Sequence, residues 1–313
     1  MHEMCRLDYI VLERELKGLQ NGFFNKASWQ GNNVFRLKFN KGAMTIDLGK
    51  YVIADRIEEE AKEHPFSETL RNILYNSLME EIETINQDRV IRMKFRQRGT
   101  LYIEMYGKAK AVFVGEDNSI IAYFVKDGKE KLENKAKYEI PETMPLEGKI
   151  YAKIFSGRPI GAVMARMIGK IYSKWILEKE GIRETETDYD AKTLDGIIRK
   201  YLGQLGAFTN RERNDFAVLP IFGENEKRSS ISEAIKTCIE NEIKENPELE
   251  KLKRSREKMV EAIEGYRKKS EESRKAAEAI YENYEKIEET LEKAGKGEME
   301  GVNRKEKTVE IEI

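Results

Sequence analysis

The chain has 313 residues, 36% of them charged, yet 56 Lys and Arg against 57 Asp and Glu leave a formal net charge of −1. That balance argues against a histone-like or polybasic nucleic-acid binder, which carries an overall excess of one sign. A mean hydropathy of −0.67 and no apolar run near the ~18 residues that cross a bilayer exclude a membrane protein.

The polar start, Met1 to Arg6, lacks the apolar core of a signal peptide, so the expectation is a soluble, cytoplasmic chain. Cys5 and Cys238, with His2 and His64, are too few for a disulfide framework or a four-ligand Cys/His zinc site. Neither metal nor cofactor is expected. The abundance of Lys, Glu and Arg is of the kind that high-temperature proteins show. Length predicts roughly two domains of ~150 residues.

Residues 8–19 place Ile10, Val11, Leu12, Leu16 and Leu19 at helical spacing, with Asp8 as the expected N-cap. In Val34–Phe39 the apolar and polar positions alternate, and 43–48 reads as the hairpin partner across Lys41-Gly42. A second helix is predicted after Pro65-Phe66-Ser67, capped by Ser67. Leu70, Ile73, Leu74, Leu78, Ile82 and Ile85 share one face of it.

Four strands are then predicted, at 90–98, 101–106, 111–115 and 120–125, joined by short turns at Gly99, Gly107-Lys108, Glu116 to Asn118 and Asp127-Gly128. Short links favour antiparallel pairing, so the class is α+β, with no doubly wound sheet. The first domain is expected to span 1–146, closing near Pro141 and Pro145. A helical middle domain follows at 147–245, with helices at 160–180, 191–205 and 231–243 and an apolar extended run at 214–222.

From Leu249 to Ala294 apolar positions recur alternately three and four residues apart, the seam of a coiled coil spanning 246–296. As one helix it would be about 70 Å long. Such a helix cannot bury its seam alone, so coil-mediated self-association is an expected mode of partnering. Residues 297–313 read as the start of a further segment, with 307–313 alternating like a strand, and the natural chain is expected to continue.

The strongest chemical signal is the run from Asp88 to Arg98. On a strand, Ile91, Met93 and Phe95 face one side, while Arg92, Lys94, Arg96 and Arg98 make a cationic stripe on the other. Such a stripe suits phosphate contact, and equally a solvated face paired with acidic neighbours. The Asp88-Arg89 pair can orient a guanidinium for bidentate anion binding, or simply lock a turn. Phosphate loops and nucleophile elbows are absent. The segment 164–176 is weakly similar to a helix-hairpin-helix, but Ile171 stands where the second glycine would be, favouring an architectural role.

Together these stretches resemble the N-terminal part of the NFACT family, the ribosome quality-control factors also described as fibronectin-binding-like proteins. The matching residues run in order. They are Leu7 to Ile10 with Glu15-Leu16, Pro65-Phe66 with Leu70-Arg71 and Leu74, Gln87 to Val90 with Lys94-Phe95, Ser230 to Ile235 with Ile239, and Ile280 to Tyr284. The resemblance, to an archaeal member, implies a non-enzymatic factor that binds tRNA and the large ribosomal subunit blocked by peptidyl-tRNA. It supports mRNA-independent C-terminal tailing, the chemistry being the ribosome's.

The resemblance assigns tRNA engagement to Asp8, Asp88 and Arg89, beside the stripe of Arg92, Lys94, Arg96 and Arg98. It implies a first domain similar to the N-terminal fold of formamidopyrimidine-type DNA glycosylases. The alternative is a nucleic-acid-processing enzyme built on that domain, although the Pro-Glu start of the glycosylases is missing. A surface adhesin would need a secretion signal, which the sequence does not show.

Overall fold

The computed structural model describes residues 1–57, 61–128, 132–133, 135–245 and 247–298. It divides into two compact units between Glu242 and Ile243.

In the first unit, α1 (Arg6–Leu16) starts earlier than its apolar spacing suggests. Cys5 is the N-cap, and Asp8, three residues on, accepts the Cys5 N–H at 2.8 Å as half of a capping box. Four strands follow: β1 (Phe24–Gly31), β2 (Val34–Phe39), β3 (Gly42–Asp47) and β4 (Tyr51–Ile53). They form an antiparallel sheet in sequential order. The expected hairpin is present, with Phe39 opposite Gly42. The flanking strands escaped prediction because β1 carries register shifts that break its alternation, and β4 is three residues long and buried on both faces.

The second helix, α2 (Pro65–Leu74), is shorter than expected. His64 caps it, its Nδ1 accepting the Phe66 N–H at 3.2 Å, in place of Ser67. Tyr75 turns the chain out of the helix with ψ 127°, and Asn76 takes the left-handed φ of 56°. Residues expected to continue the helix instead form β5 (Met79–Thr84), which carries a register shift between Met79 and Glu81, with Leu78 just before it and Ile85 in the turn after it.

Next come β6 (Val90–Phe95), β7 (Gly99–Glu104), β8 (Lys110–Val114) and β9 (Ile120–Val125), completing a five-stranded antiparallel meander from β5 to β9. The two sheets share a core. Phe24 and Phe39 from the first meet Phe95 of the second, with ring centroids 6.0 and 6.5 Å apart. Gly99 is required at its turn: its φ is +122°, and a Cβ there would lie 2.0 Å from the Val114 carbonyl oxygen.

The same unit continues with α3 (Gly148–Ile154), α4 (Ile160–Ile168), α5 (Lys170–Glu180) and α6 (Ala191–Leu202). The helix expected over 160–180 is two helices, broken at Gly169 with φ +99°. This region is not all-helical. β10 (Phe208–Asn210), β11 (Asp215–Ala217) and β12 (Glu226–Lys227) form a small antiparallel sheet before α7 (Ile231–Glu245), and β11 lies inside the apolar run. Leu12, Phe35, Met93, Met164, Tyr172 and Val218 belong to one buried cluster, so sheets and middle helices share a core.

In the second unit, α8 (Pro247–Glu282) and α9 (Tyr284–Lys296) replace the single long helix. Asn283, with φ −111° and ψ 20°, interrupts it, and its side-chain amide donates to the Ala279 carbonyl at 2.9 Å. Met259, Ile263, Tyr266, Ile280, Tyr284 and Leu291 are exposed along these helices. The strand expected at 307–313 lies outside the described residues. Among the described residues, no helix is long and apolar enough to cross a membrane.

Candidate nucleic-acid interface

Asp88 and Arg89 sit between the 3-10 turn Ile85–Gln87 and the start of β6. Asn86 and Gln87 both have left-handed backbones, with φ of 52° and 56°. That conformation is supported by Arg6 of α1, which is 3% exposed. Its Nη2 donates to the Asn86 carbonyl at 2.6 Å and its Nε to the Gln87 carbonyl at 3.1 Å. Nη1 reaches the Tyr151 hydroxyl of α3 at 2.7 Å, and Nη2 also donates to the Met144 carbonyl. One buried cation thus ties α1, the turn before Asp88 and the first middle helix together through four of its five N–H groups.

The Asp88 carboxylate accepts the Arg89 N–H at 2.8 Å and lies 3.5 Å from Arg89 Nε. The Arg89 guanidinium rests over the Tyr106 ring, 5.1 Å from its centroid. Both residues line a cavity of about 420 Å³, to which Arg6 and Arg166 bring further guanidinium groups and Tyr106 and Tyr151 bring rings. Glu142 and Asp88 are its carboxylates. Burial pushes the Tyr106 and Tyr151 hydroxyls above the usual phenol range, so both stay protonated at neutral pH. Cationic forks beside aromatic faces suit a phosphate or carboxylate attached to a planar group.

Asp8 is placed differently. It is fully buried and is absent from the cavity lining. Its carboxylate accepts the Tyr172 hydroxyl from α5, the Cys5 N–H and, at 3.2 Å, the Cys5 thiol. Burial, reinforced by the Asp8 charge, pushes the Cys5 thiol and the Tyr172 hydroxyl well up. His2 lies beside them, with Nε2 3.7 Å from Asp8 and Nδ1 2.8 Å from Asp215. Burial disfavours the imidazolium, but the hydrogen bond to Asp215 and the nearby Asp8 and Asp215 carboxylates overcome it and raise His2 to about 9.

The cationic stripe is shorter and less positive than its alternation suggests. β6 ends at Phe95, so Arg92 and Lys94 lie on the strand while Arg96 and Arg98 lie in the turn after it. Arg92 Nη2 sits between Glu81 at 3.0 Å and Glu83 at 2.8 Å, and Arg96 Nε pairs with Glu80 at 2.7 Å. All three carboxylates come from β5, the strand read as helix, and the paired-face alternative therefore holds for these two arginines. Lys94 and Arg98 are exposed.

Glu15 has a structural place as well. It accepts the Ile231 N–H at 2.6 Å, the Ser232 N–H at 3.2 Å and the Ser232 hydroxyl, capping α7 from α1. Sequence reasoning missed Arg6, Tyr106, Tyr151, Arg166 and Tyr172. Arg6 carried a usable signal, being a cation four residues before Ile10 on the buried stripe of α1. The others look like ordinary helix and strand residues until the chain is folded.

Several proteins are similar to this chain. An archaeal Rqc2 homologue, aRqcH, from Methanocaldococcus jannaschii is 25% identical over 227 residues, covering 63% of this chain and 34% of the relative. The aligned part thus spans about a third of that protein's length. The fold is similar to the N-terminal region of the fibronectin/fibrinogen-binding protein of Streptococcus suis, with a TM-score of 0.58 and 15% identity. That match covers 76% of this chain and 100% of the other. The fibrinogen-binding protein of Staphylococcus aureus gives a TM-score of 0.56 at 16% identity, over 74% and 97% of the two chains. A family model for the NFACT N-terminal and middle domains matches residues 46–311, most of the sequence, and the chain therefore belongs to the NFACT family.

Proposed function

We propose that this chain is the tRNA- and ribosome-binding part of a ribosome quality-control factor. It would bind the large subunit obstructed by peptidyl-tRNA, engage tRNA, and support mRNA-independent C-terminal tailing of the stalled nascent chain. The chain would supply no catalytic group, the bond-forming chemistry belonging to the peptidyl-transferase centre. The observation that carries the reading is the cavity at Asp88-Arg89, where guanidinium groups and aromatic rings converge between the sheets and the middle helices. Family membership and the archaeal Rqc2 homologue support the same direction.

In this reading Arg89, held by Asp88 and Tyr106, takes a phosphate or a base edge of tRNA. Arg92, paired as it is, and Lys94 extend the contact along β6, which covers roughly 20 Å at 3.3 Å per residue, and Arg96 and Arg98 continue it into the turn that follows. Asp8 acts as a positioning residue that fixes the start of α1 and hence Arg6. Residues 1–146 would form the sheet domain, 147–245 the middle domain, and 246–296 a coiled coil completed by a partner helix. The test is co-sedimentation with large subunits carrying peptidyl-tRNA, comparing the parent with Asp88→Ala/Arg89→Ala. The parent should pellet and recover tRNA, and the variant should lose tRNA recovery. Equal binding and equal tRNA recovery would sink the reading.

A further inference from the structure

At the N-terminal end of α1 three residues of different donor chemistry converge, His2, Cys5 and Asp8, offering an imidazole nitrogen, a sulfur and a carboxylate oxygen that lie within 4.8 Å of one another. Sulfur and carboxylate oxygen are 3.2 Å apart, and imidazole nitrogen and carboxylate oxygen 3.7 Å. Zinc bonds of 2.0–2.3 Å in tetrahedral array put ligand atoms roughly 3.3–3.8 Å apart, so the two measured separations fall at or near that spacing without rearrangement. The scarcity of Cys and His in the sequence rules out a four-ligand Cys/His site, but not a mixed set of three.

The surroundings are those of a metal-binding histidine. Asp215 of β11 accepts from His2 Nδ1 at 2.8 Å and also from the His2 backbone N–H at 2.8 Å. That fixes the ring with Nε2 turned toward Cys5 and Asp8, the carboxylate–histidine relay that orients metal ligands. Phe216 stacks on the imidazole at a centroid distance of 4.4 Å. Nε2 itself is buried and has no hydrogen-bond partner. The Tyr172 hydroxyl occupies the other Asp8 oxygen, and Oδ2, which accepts the Cys5 N–H at 2.8 Å, keeps a second lone pair for the site.

We propose that His2, Cys5 and Asp8 bind a divalent transition-metal ion of the zinc class, with a fourth position left for water. The charges balance: neutral imidazole, thiolate and carboxylate carry −2 against +2. The thiol must ionise to ligate, so its proton leaves to solvent as the sulfur–metal bond forms. Cys5 lines the 420 Å³ cavity, which provides an entry route. The ion would join the start of α1 to β11 through Asp215, pinning the first helix against the middle region.

The test uses the whole chain, stripped with chelator and titrated with Co²⁺, then Zn²⁺. Expected are one equivalent of Co²⁺ per chain, thiolate-to-cobalt charge-transfer absorption, and its disappearance when Zn²⁺ is added. Cys5→Ser should abolish that absorption, and Cys238→Ser should retain it. His2→Ala, at a partly exposed position near the terminus, should weaken Co²⁺ binding at least about tenfold, and it carries the test if the Cys5 variant does not fold. A parent chain with no cobalt–thiolate absorption at saturating Co²⁺, or a His2→Ala variant binding as tightly as the parent, would overturn the assignment.

Discussion

The Tyr172 hydroxyl donates to the buried Asp8 carboxylate across 164 residues of sequence and accepts the Val218 N–H at 3.0 Å. One phenol therefore holds α1, α5 and the strand region after β11 in register. Tyr172→Phe keeps the ring but strands a carboxylate oxygen and a backbone donor in a closed core. Each such group costs about 1–3 kcal/mol, so urea unfolding should show a loss of at least about 2 kcal/mol. An unchanged midpoint would mean that this link is not part of what holds the regions together.

Gly169 bears on the same junction. Its φ is +99°, and a Cβ there would lie 2.4 Å from Cys5 Sγ and 2.7 Å from Cys5 Cβ. Gly169→Ala combines an unfavourable backbone with a clash into α1, and should cost about 2–4 kcal/mol. Gly181 is the matched comparison, with φ +67° and nothing within 4 Å of its would-be Cβ. Gly181→Ala should cost only about 1 kcal/mol, and thermal unfolding of the two variants separates sterics from backbone preference.

Acidic residues of β5 restrain the basic strand. Glu81→Gln/Glu83→Gln removes the carboxylates that hold Arg92 at 3.0 and 2.8 Å. If β6 contacts tRNA, the double variant should bind tRNA more tightly. The slope of log affinity against log salt should steepen by about 1 for each additional phosphate that the strand neutralises. Filter binding at several salt concentrations checks this, and an unchanged slope would remove Arg92 from the interface.

Acid should weaken the packing of α1 on β5 through Glu13. This carboxylate accepts the Thr84 hydroxyl and N–H and pairs with Lys17 at 2.9 Å. Burial alone would raise its pKa, but these partners hold it below the ordinary 4.5. A group lowered on folding contributes stability that is complete above its unfolded pKa and is lost as pH falls through the folded value. Glu13→Gln should therefore cost on the order of 1 kcal/mol at pH 7. Chemical denaturation should show the gap to the parent closing below about pH 4.

Turn chemistry and apolar content were enough for the β2–β3 hairpin and the strands from β6 to β9, because each pairs with its sequence neighbour across a short turn. They misled at β5, where Leu78, Ile82 and Ile85 fall at helical spacing although only Ile82 lies on the strand, and at Gly169, where local apolar pattern runs straight through a break. The same error affected the cationic stripe. With β5 read as helix, the carboxylates facing Arg92 and Arg96 could not be seen.

The sequence by itself determined the family, the antiparallel class of the first sheets and the prominence of Asp88-Arg89, since these rest on neighbouring residues and their order. Only the tertiary structure decided what surrounds them. Arg6 meets Tyr151 over 145 residues, and Asp8 meets Tyr172 over 164. Contacts at such separations come from how packed elements meet in space, so they leave no spacing to read. That is why Asp8 is a buried link rather than a surface contact, and why an evenly charged chain concentrates guanidinium groups at one cavity.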